Sequence, residues 1–251
     1  MDRTTVLKVG GAELQEGEAF ETLLNALVPL ARARRLVVVH GGGAEIADLQ
    51  QRLGLAPCFV DGLRVTDGDS LKVAEMVLSG LVNKRLTAHL VARGVRALGL
   101  SGVDAGVLRA RRLTHPKGDL GFVGEITDVD ASCLCGLLDA GFTPILSPIS
   151  LGENGCAYNV NADRAALAVA GAIGAEELVF VTDVPGVRQA DALLPRLSVA
   201  AAEELIAAEI ITGGMIPKVR SALEAVAHGV AHARITNLAG LANGAGTVVV
   251  A

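Results

Sequence analysis

The sequence predicts an α/β fold with a mainly parallel central sheet. Short apolar segments alternate with amphipathic segments along the chain, which is the order that βα repeats produce. Most of the apolar segments are hydrophobic on consecutive residues rather than on alternate ones, as strands buried on both faces are. The 251 residues, 51% of them hydrophobic, suffice for one α/β domain or for two closely joined lobes.

Strands are predicted for six of the apolar segments, at residues 6–9, 36–40, 97–100, 144–147, 178–182 and 233–236. The first helix is predicted around Phe20, Leu23 and Leu27, which fall on one face of a helix, and it ends in arginines that suit a helix C-terminus. Further helices are predicted at residues 44–53, 69–93, 131–140, 161–173, 199–208 and 217–228.

The middle of the chain interrupts this alternation. Residues 107–112 and 122–125, with the turn at Pro116–Asp119 between them, indicate a hairpin-like excursion. Two lobes are therefore expected, one at residues 1–155 and one at residues 156–251, joined at the turn formed by residues 152–155.

Composition excludes several classes of function. A net charge of −5 and a pI near 5.6 argue against nucleic-acid or anionic-membrane partners, which need a basic surface. The N-terminus lacks a signal-peptide pattern and no apolar run reaches about 18 residues, so a cytoplasmic protein is expected. The four cysteines show no complete zinc-site spacing, and we expect them to be small buried side chains. No metal-ligating group is predicted.

Two glycine-rich segments follow predicted strands and are candidate phosphate sites. Lys8 closes the first strand before Gly10 and Gly11, where a phosphate could approach the backbone; a surface lysine beside a flexible turn is the alternative. Residues 41–43 are three glycines between a strand and a helix, where N–H groups can hold an anion; a tight βα turn is the alternative. Neither a P-loop nor a G-x-G-x-x-G motif occurs.

Further polar residues lie in turns. Arg64 could hold a carboxylate through two N–H groups, although a solvated loop arginine is the alternative. Asn159, Asn161 and Asp163 alternate before a helix, and the last two are candidate helix caps as well as site residues. Asp183 follows a strand in a turn that could contact a nucleotide, and Lys218 follows Gly213-Gly214 at the start of a helix.

Taken in order, six motifs of this sequence resemble those of the amino acid kinase family. They are Lys8-x-Gly-Gly, His40-Gly-Gly-Gly, Gly62-Leu-Arg-Val-Thr, Asn159-Val-Asn-Ala-Asp, Thr182-Asp-Val-Pro-Gly and Ile211-Thr-Gly-Gly-Met-Ile-Pro-Lys. The resemblance is strongest to members that phosphorylate the side-chain carboxylate of N-acetyl-L-glutamate. It implies a three-layer αβα sandwich, with an acyl-substrate-binding and dimerisation lobe before residue 155 and an ATP-binding lobe after it.

The resemblance also implies roles for individual residues. Lys8 and Lys218 would stabilise the transferred phosphoryl group, and Asp163 would hold both lysines. Gly42, Gly43, Arg64 and Asn159 would bind the acyl substrate, while Gly10 and Gly11 would donate N–H groups to phosphate. The remaining ATP contacts would come from Asp183, Val184, Pro185, Gly186, Val187, Arg188, Ile210, Ile211 and Thr212. ATP with Mg²⁺ is the implied cofactor.

Two rival functions remain on the same fold. One is a kinase for carrier-protein-linked aminoadipate or glutamate, and the net charge of −5 gives no support for a basic surface that would dock an acidic carrier. The other is a non-catalytic nucleotide-binding regulator, which would not need both lysines and Asp163. Because the first strand begins by about residue 5, we expect the short, arginine-insensitive, homodimeric type of kinase.

Overall fold

The structure is a computed structural model that describes residues 3–190 and 192–251. Its strands are β1 (Thr4–Val9), β2 (Arg35–His40), β3 (Phe59–Val60), β4 (Leu63–Arg64), β5 (Ala97–Ser101), β6 (Leu108–Arg112), β7 (Val123–Val129), β8 (Thr143–Ser147), β9 (Ile149–Leu151), β10 (Ala157–Val160), β11 (Glu177–Val181), β12 (Arg188–Gln189), β13 (Ala192–Leu193), β14 (Arg196–Ser198), β15 (His232–Thr236) and β16 (Thr247–Val250).

The helices are α1 (Glu18–Ala33), α2 (Gly43–Arg52), α3 (Gly68–Glu75), α4 (Asn83–Ala92), α5 (Ala131–Asp139), α6 (Ala162–Ala172), α7 (Val199–Ala207), α8 (Met215–Ala227) and α9 (Leu238–Asn243). A π-helical segment, Met76–Val82, joins α3 to α4, so residues 68–92 form one continuous helix with wider turns in its middle. None of the helices in the described residues is both long enough and apolar enough to cross a bilayer.

Eight strands of the described chain form one sheet, in the order β14-β16-β15-β11-β1-β2-β8-β5. From β15 to β5 all neighbouring strands are parallel, whereas β16 runs antiparallel to β15. The predicted α/β class with a mainly parallel sheet is confirmed. Strand β1 lies inside the sheet between β11 and β2, which places the residues that follow it between two other strand ends.

Helices cover both faces of this sheet. Val6 of β1 belongs to a buried cluster shared with α6 and α8, whereas Leu7 and Val9 belong to a second cluster shared with α1 and α3. Successive side chains of a strand point to opposite faces, so the two clusters lie on opposite sides of the sheet. This arrangement confirms the three-layer αβα sandwich that the resemblance implied.

The excursion in the middle of the chain is more elaborate than a hairpin. Strands β6 and β7 pair antiparallel as predicted, but β9 and β10 close them into a small barrel. The turn at Glu153–Gly155, where two lobes were expected to join, closes the β9–β10 hairpin of that barrel. The division into lobes 1–155 and 156–251 stays a prediction, and the first two residues of the first lobe lie outside the described part.

Most predicted elements match the structure to within two residues, and the omissions are short elements, among them β9 and β10 of the barrel and two elements near the C-terminus. Helix α9 has only six residues, capped by Asn237, whose side chain accepts a bond from Gly240 N at 2.9 Å. Strand β16 has four residues and follows Gly244 and Gly246. Such short segments give too little periodicity to be recognised. The expectation of buried cysteines is wrong, since Cys58 and Cys156 are exposed and Cys133 and Cys135 are half-buried.

Candidate active site

Three adjacent strands end at the same edge of the sheet, and each is followed by residues that the sequence singled out. Strand β1 leads into Gly10-Gly11, β2 into Gly41–Gly43 and β11 into Thr182-Asp183. Ligands of open parallel sheets bind at this edge, outside the carboxyl ends of the strands. The topology therefore brings Gly10-Gly11 to the same edge as Thr182-Asp183, about 170 residues later in the sequence.

The first two glycine segments touch each other through their backbones. Gly41 N donates to the carbonyl oxygen of Val9 at 3.0 Å. A Cβ added to Gly11 would lie 3.2 Å from Gly43 N and 3.3 Å from Gly42 Cα, so a side chain would push the segments apart. Glycine at position 11 therefore allows the two backbones to approach closely.

A cavity of about 480 Å³ opens beside these glycines. Six of the predicted residues line it: Lys8, Gly10, Gly11, Asp163, Asp183 and Lys218. Glu13, Thr182, Gly214 and Ser221 also line it, and no role is predicted for these four from the sequence. The cavity thus collects residues from β1, α6, the end of β11 and the start of α8.

Asp163 is free to form an ion pair because its neighbour caps the helix. The side-chain oxygen of Asn161 accepts bonds from Asp163 N at 2.8 Å and Arg164 N at 3.3 Å, which makes Asn161 the N-cap of α6. The carboxylate of Asp163 lies 3.0 Å from Lys8 Nζ. Of the two candidate caps, Asn161 is therefore the helix cap and Asp163 is the ion-pair partner of Lys8.

Lys218 has a different partner from the one expected. Its Nζ lies 2.9 Å from Asp183 Oδ1, while the Thr182 hydroxyl donates to the same oxygen at 2.7 Å. The hydrogen bond from Lys218, with that from Thr182, lowers the pKa of Asp183 to about 2. Asp163 therefore holds Lys8 here, and Asp183 holds Lys218, instead of one carboxylate holding both lysines.

Carboxylates outnumber ammonium groups in this cavity. Lys8 and Lys218 face Asp163, Asp183 and the nearly buried Glu13. Two of the three carboxylates already pair with a lysine, so the cavity offers carboxylate oxygen to a cation as well as ammonium groups to an anion. Within residues 3–190 and 192–251, no group of three His, Cys, Asp or Glu side chains is arranged to hold a metal unaided.

Two helices start at the site without a side-chain cap. Helix α2 begins at Gly43 after Gly42, and α8 begins at Met215 after Gly214, and neither start receives a capping bond from a side chain. The first N–H groups of a helix have no partner within it and carry the positive end of its dipole. Both helix starts can therefore donate to an anion.

A second cavity, of about 230 Å³, lies on the other side of the second glycine segment. It is lined by the four residues predicted to bind the acyl substrate, Gly42, Gly43, Arg64 and Asn159, together with apolar side chains that include Ile46, Phe59, Leu78 and Val123. A Cβ on Gly43 would meet no atom within 4 Å, so this position is open to the cavity.

Arg64 is held firmly at the second cavity. Its Nη1 donates to Gln50 Oε1 at 2.5 Å and its Nη2 donates to the Gly43 carbonyl at 3.1 Å. Its guanidinium carbon lies 4.7 Å from the ring centre of Phe59, within the range of a cation–π contact. Burial lowers the pKa of Arg64. Nearby, the Asn159 amide donates to Thr66 Oγ1 at 3.3 Å.

The two cavities share a wall. Ala162 lines the second cavity and Asp163, the next residue of α6, lines the first. Gly11 of the first cavity packs against Gly42 and Gly43 of the second. A group bound in one cavity can therefore approach a group bound in the other along the glycine segments.

Eight of the predicted ATP contacts lie beyond these cavities. Val184 to Arg188 directly follow Asp183, and Ile210 to Thr212 end two residues before Gly214, so each segment lies close in sequence to a residue that lines the first cavity. Val187 and Ile211 are buried in the core, and Val187 N donates to Thr247 Oγ1 at 2.8 Å. Their side chains are thus packing groups in this structure.

A buried histidine, for which no function is predicted from the sequence, bonds to the backbone of the second glycine segment. His40 Nδ1 lies 2.9 Å from the Gly41 carbonyl oxygen, so this nitrogen carries the proton. Nε2 is then an acceptor for the buried Asn83 amide at 3.1 Å, and the same amide donates to the Ile145 carbonyl at 2.8 Å. Burial lowers the pKa of His40 to about 4, which keeps the ring neutral.

Known proteins match this chain over nearly its whole length. The sequence profile of the amino acid kinase family matches residues 3–237. The acetylglutamate kinase of Methanopyrus kandleri is 47% identical, covering 97% of this chain and 99% of its own length. That of Roseiflexus castenholzii is 50% identical, covering 99% of this chain and 94% of its own length.

A solved structure is similar as well. The N-acetylglutamate synthase of Neisseria gonorrhoeae, in complex with coenzyme A and N-acetyl-glutamate, superposes with a TM-score of 0.86 at 29% identity. The match covers 99% of this chain and 59% of the synthase.

The neutral His40 leads to a prediction about stability and pH. Its pKa of about 4 in the folded chain lies below the ordinary value of 6.5, so the unfolded chain binds a proton more readily. The stabilisation is complete above pH 6.5 and is lost as the pH falls toward 4, by up to about 3 kcal/mol. His40→Gln, which cannot titrate, is expected to lose less stability between pH 7 and pH 4.5 in urea unfolding.

The exposed His228 provides the matched control. His228→Gln is expected to keep the pH dependence of the wild-type chain. The same pH dependence in wild type and His40→Gln would contradict the prediction, whatever the stability of the variant at pH 7.

Proposed function

The chain belongs to the amino acid kinase family, and from that premise we propose that it catalyses the ATP-dependent phosphorylation of the side-chain carboxylate of N-acetyl-L-glutamate. The observation that carries the proposal is the pair of adjacent cavities that meet at the glycine segments. One has two lysines among its lining residues and the other has Arg64 and Asn159. Such a pair suits transfer of a phosphoryl group from a nucleotide to a small carboxylate.

The reaction needs charge stabilisation rather than a base. A carboxylate oxygen attacks the γ-phosphorus, the bond from that phosphorus to the β,γ-bridging oxygen breaks, and ADP leaves with the bonding electrons. The acceptor is already an anion, so no proton has to be removed. Two unit charges about 4 Å apart repel by about 4 kcal/mol at an effective dielectric constant near 20. The site must offset that repulsion by positioning and electrostatics.

In the first cavity, Lys8, Lys218 and backbone N–H groups would hold the phosphates. The N–H groups of Gly10, Gly11 and the uncapped start of α8 lie at or beside this cavity. Because each lysine pairs with an aspartate here, phosphate oxygens would compete with Asp163 and Asp183 for the ammonium groups. Asp163 would then orient Lys8 from behind.

The carboxylates of the first cavity fit a Mg²⁺ ion that arrives with ATP. Mg²⁺ in phosphoryl-transfer sites is bound by one or two carboxylates and by the substrate's own phosphates, and Asp163, Asp183 and Glu13 supply such oxygens. When bound, the ion neutralises phosphate charge.

In the second cavity, Arg64 would bind a carboxylate of N-acetyl-L-glutamate and Asn159 would contact its amide. Two N–H groups of the guanidinium are used by Gln50 and Gly43, which leaves others for the substrate. Gly42 and Gly43 would let the reacting carboxylate lie against the backbone at the shared wall.

The rest of the nucleotide would extend from the first cavity along Asp183 to Arg188 and Ile210 to Thr212. Each segment lies close in sequence to a lining residue of that cavity, and the buried Val187 and Ile211 would contribute backbone groups rather than side chains. Both segments belong to the lobe after residue 155, which would bind ATP, whereas the lobe before it would bind the acyl substrate.

A discontinuous assay tests the activity. Incubation with ATP, Mg²⁺ and N-acetyl-L-glutamate, followed by trapping with hydroxylamine, is expected to give a hydroxamate because an acyl phosphate is formed. Glutamate and aminoadipate are the comparison substrates, and little product is expected from either. Failure with all three, alongside measurable nucleotide binding, would support a non-catalytic regulator instead.

Replacement of Lys8 tests the electrostatic role. Lys8→Ala is expected to lower kcat by roughly 10²–10³-fold, the usual effect of removing one preorganised donor, while the KM values change far less. Steady-state kinetics measure this, and Lys72→Ala, a change of an exposed lysine on α3 outside both cavities, is the control. A Lys8 variant with more than half of the wild-type kcat would refute the assignment.

We also propose that the protein is a homodimer. The helix at residues 68–92 exposes three large apolar side chains, Met76 (54% exposed), Leu81 (54%) and Val91 (52%). Burial of these side chains between two copies would remove apolar surface from water. Light scattering is expected to give twice the chain mass of 25.6 kDa, and Leu81→Glu is expected to shift the mass toward the monomer. A wild-type mass of one chain at micromolar concentration would contradict the proposal.

A further inference from the structure

Gln50 is a polar side chain with no exposed surface, and both ends of its amide are used. It lies near the end of α2 and is 0% exposed. Its Oε1 accepts from Arg64 Nη1 at 2.5 Å and its Nε2 donates to the hydroxyl of Ser70 at 2.9 Å. A buried amide is stable only when its donors and acceptors are paired, so this geometry is well defined.

The far end of this connection is anchored at the start of α3. Ser70 is buried, and its backbone N–H donates to Asp67 Oδ1 at 2.8 Å, the N-cap bond of that helix. Gln50 therefore connects α2 and the start of α3 to the guanidinium of Arg64, which follows the β3–β4 hairpin turn. Arg64 has no comparable bond to its own hairpin, since its two side-chain bonds go to Gln50 and Gly43.

These contacts restrict the guanidinium on several sides. Gln50 and the Gly43 carbonyl each take one N–H group, and the Phe59 ring lies 4.7 Å away. Phe59 is more than half exposed and belongs to the short hairpin, so it restrains Arg64 less than the buried Gln50 does. The remaining N–H groups of Arg64 are available to a ligand, because Arg64 lines the second cavity.

We propose that Gln50 is a positioning residue that fixes Arg64 for carboxylate binding and thereby sets the affinity of the second cavity for the acyl substrate. The inference rests on the proposed function. Gln50 lines neither cavity, so it acts through Arg64 and not by touching the substrate. It lies outside the phosphate cavity, so its removal leaves the phosphoryl-transfer step itself unchanged.

The main test is Gln50→Met, which keeps the length of the side chain and removes the amide. Loss of a hydrogen bond to a charged group is expected to raise KM for N-acetyl-L-glutamate roughly tenfold or more. The values of kcat and of KM for ATP are expected to stay within about twofold. Gln51→Met is the matched control, since Gln51 is the next residue of α2 and is exposed. It should leave all three constants unchanged.

A double-mutant cycle with Arg64→Met separates positioning from a general effect on packing. If Gln50 acts through Arg64, Gln50→Met causes no further loss of substrate affinity in a chain that already carries Arg64→Met. Calorimetric titration with N-acetyl-L-glutamate measures this even where turnover is too slow. Equal losses in both backgrounds, a fall in kcat alone, or a Gln50→Met variant with wild-type KM would each overturn the proposal.

Ser70→Ala keeps the inference testable if Gln50→Met does not fold. This change removes only the far partner of the amide and should fold, and a smaller rise in KM for the acyl substrate is expected, with kcat unchanged. No change in KM would overturn the proposal. Wild-type protein that neither binds nor phosphorylates N-acetyl-L-glutamate would refute the proposed function itself, whereas active wild-type protein with an unaffected Gln50→Met variant refutes only the role of Gln50.

Discussion

The site depends on the backbone contact between two glycine segments at the ends of β1 and β2. Gly11 packs so closely against Gly42 and Gly43 that a Cβ at position 11 would require the facing backbone to shift. Parallel pairing of β1 with β2 brings the segments to the same level, and the bond from Gly41 N to the Val9 carbonyl ties them together. The lining residues of both cavities are arranged around this contact.

The ion pair between Lys8 and Asp163 lies beside that contact, at the end of β1. Lys8 lies one residue before the end of β1, and Asp163 reaches it because Asn161 takes over the capping of α6. Below the second segment, the neutral His40 bonds to the Gly41 carbonyl and is itself held by Asn83. A charged imidazole there would be a buried positive charge without a carboxylate partner, so burial keeps the ring neutral. The bond to the Gly41 carbonyl then places the single proton on Nδ1.

Six of the eight strands of the main sheet in the described residues could be predicted from the sequence, because apolar runs and the turns that bound them are local signals. The roles of the candidate site residues rested on the resemblance to a family and stay predictions. Lys8, Gly42, Arg64, Asn159 and Lys218 all lie at the cavities. The partner of Lys218, the buried Glu13 and the contact from Gln50 to Arg64 could not be predicted, since each depends on which side chains meet across elements. Glutamine on a helix resembles any solvent-facing residue until its burial is known.

Each of the two lysines in the first cavity is paired with a different aspartate, and this affects how ligands can bind there. Because each ammonium group has its own aspartate, neither lysine is left as an uncompensated charge before the nucleotide binds. In the proposed function, phosphate oxygens that share Lys8 and Lys218 with Asp163 and Asp183 would lie close to carboxylate oxygens, and oxygens of both kinds are ligands of Mg²⁺. In the proposed function, nucleotide and metal binding would therefore be coupled through the same two ion pairs, since the charge of each would alter the environment of both.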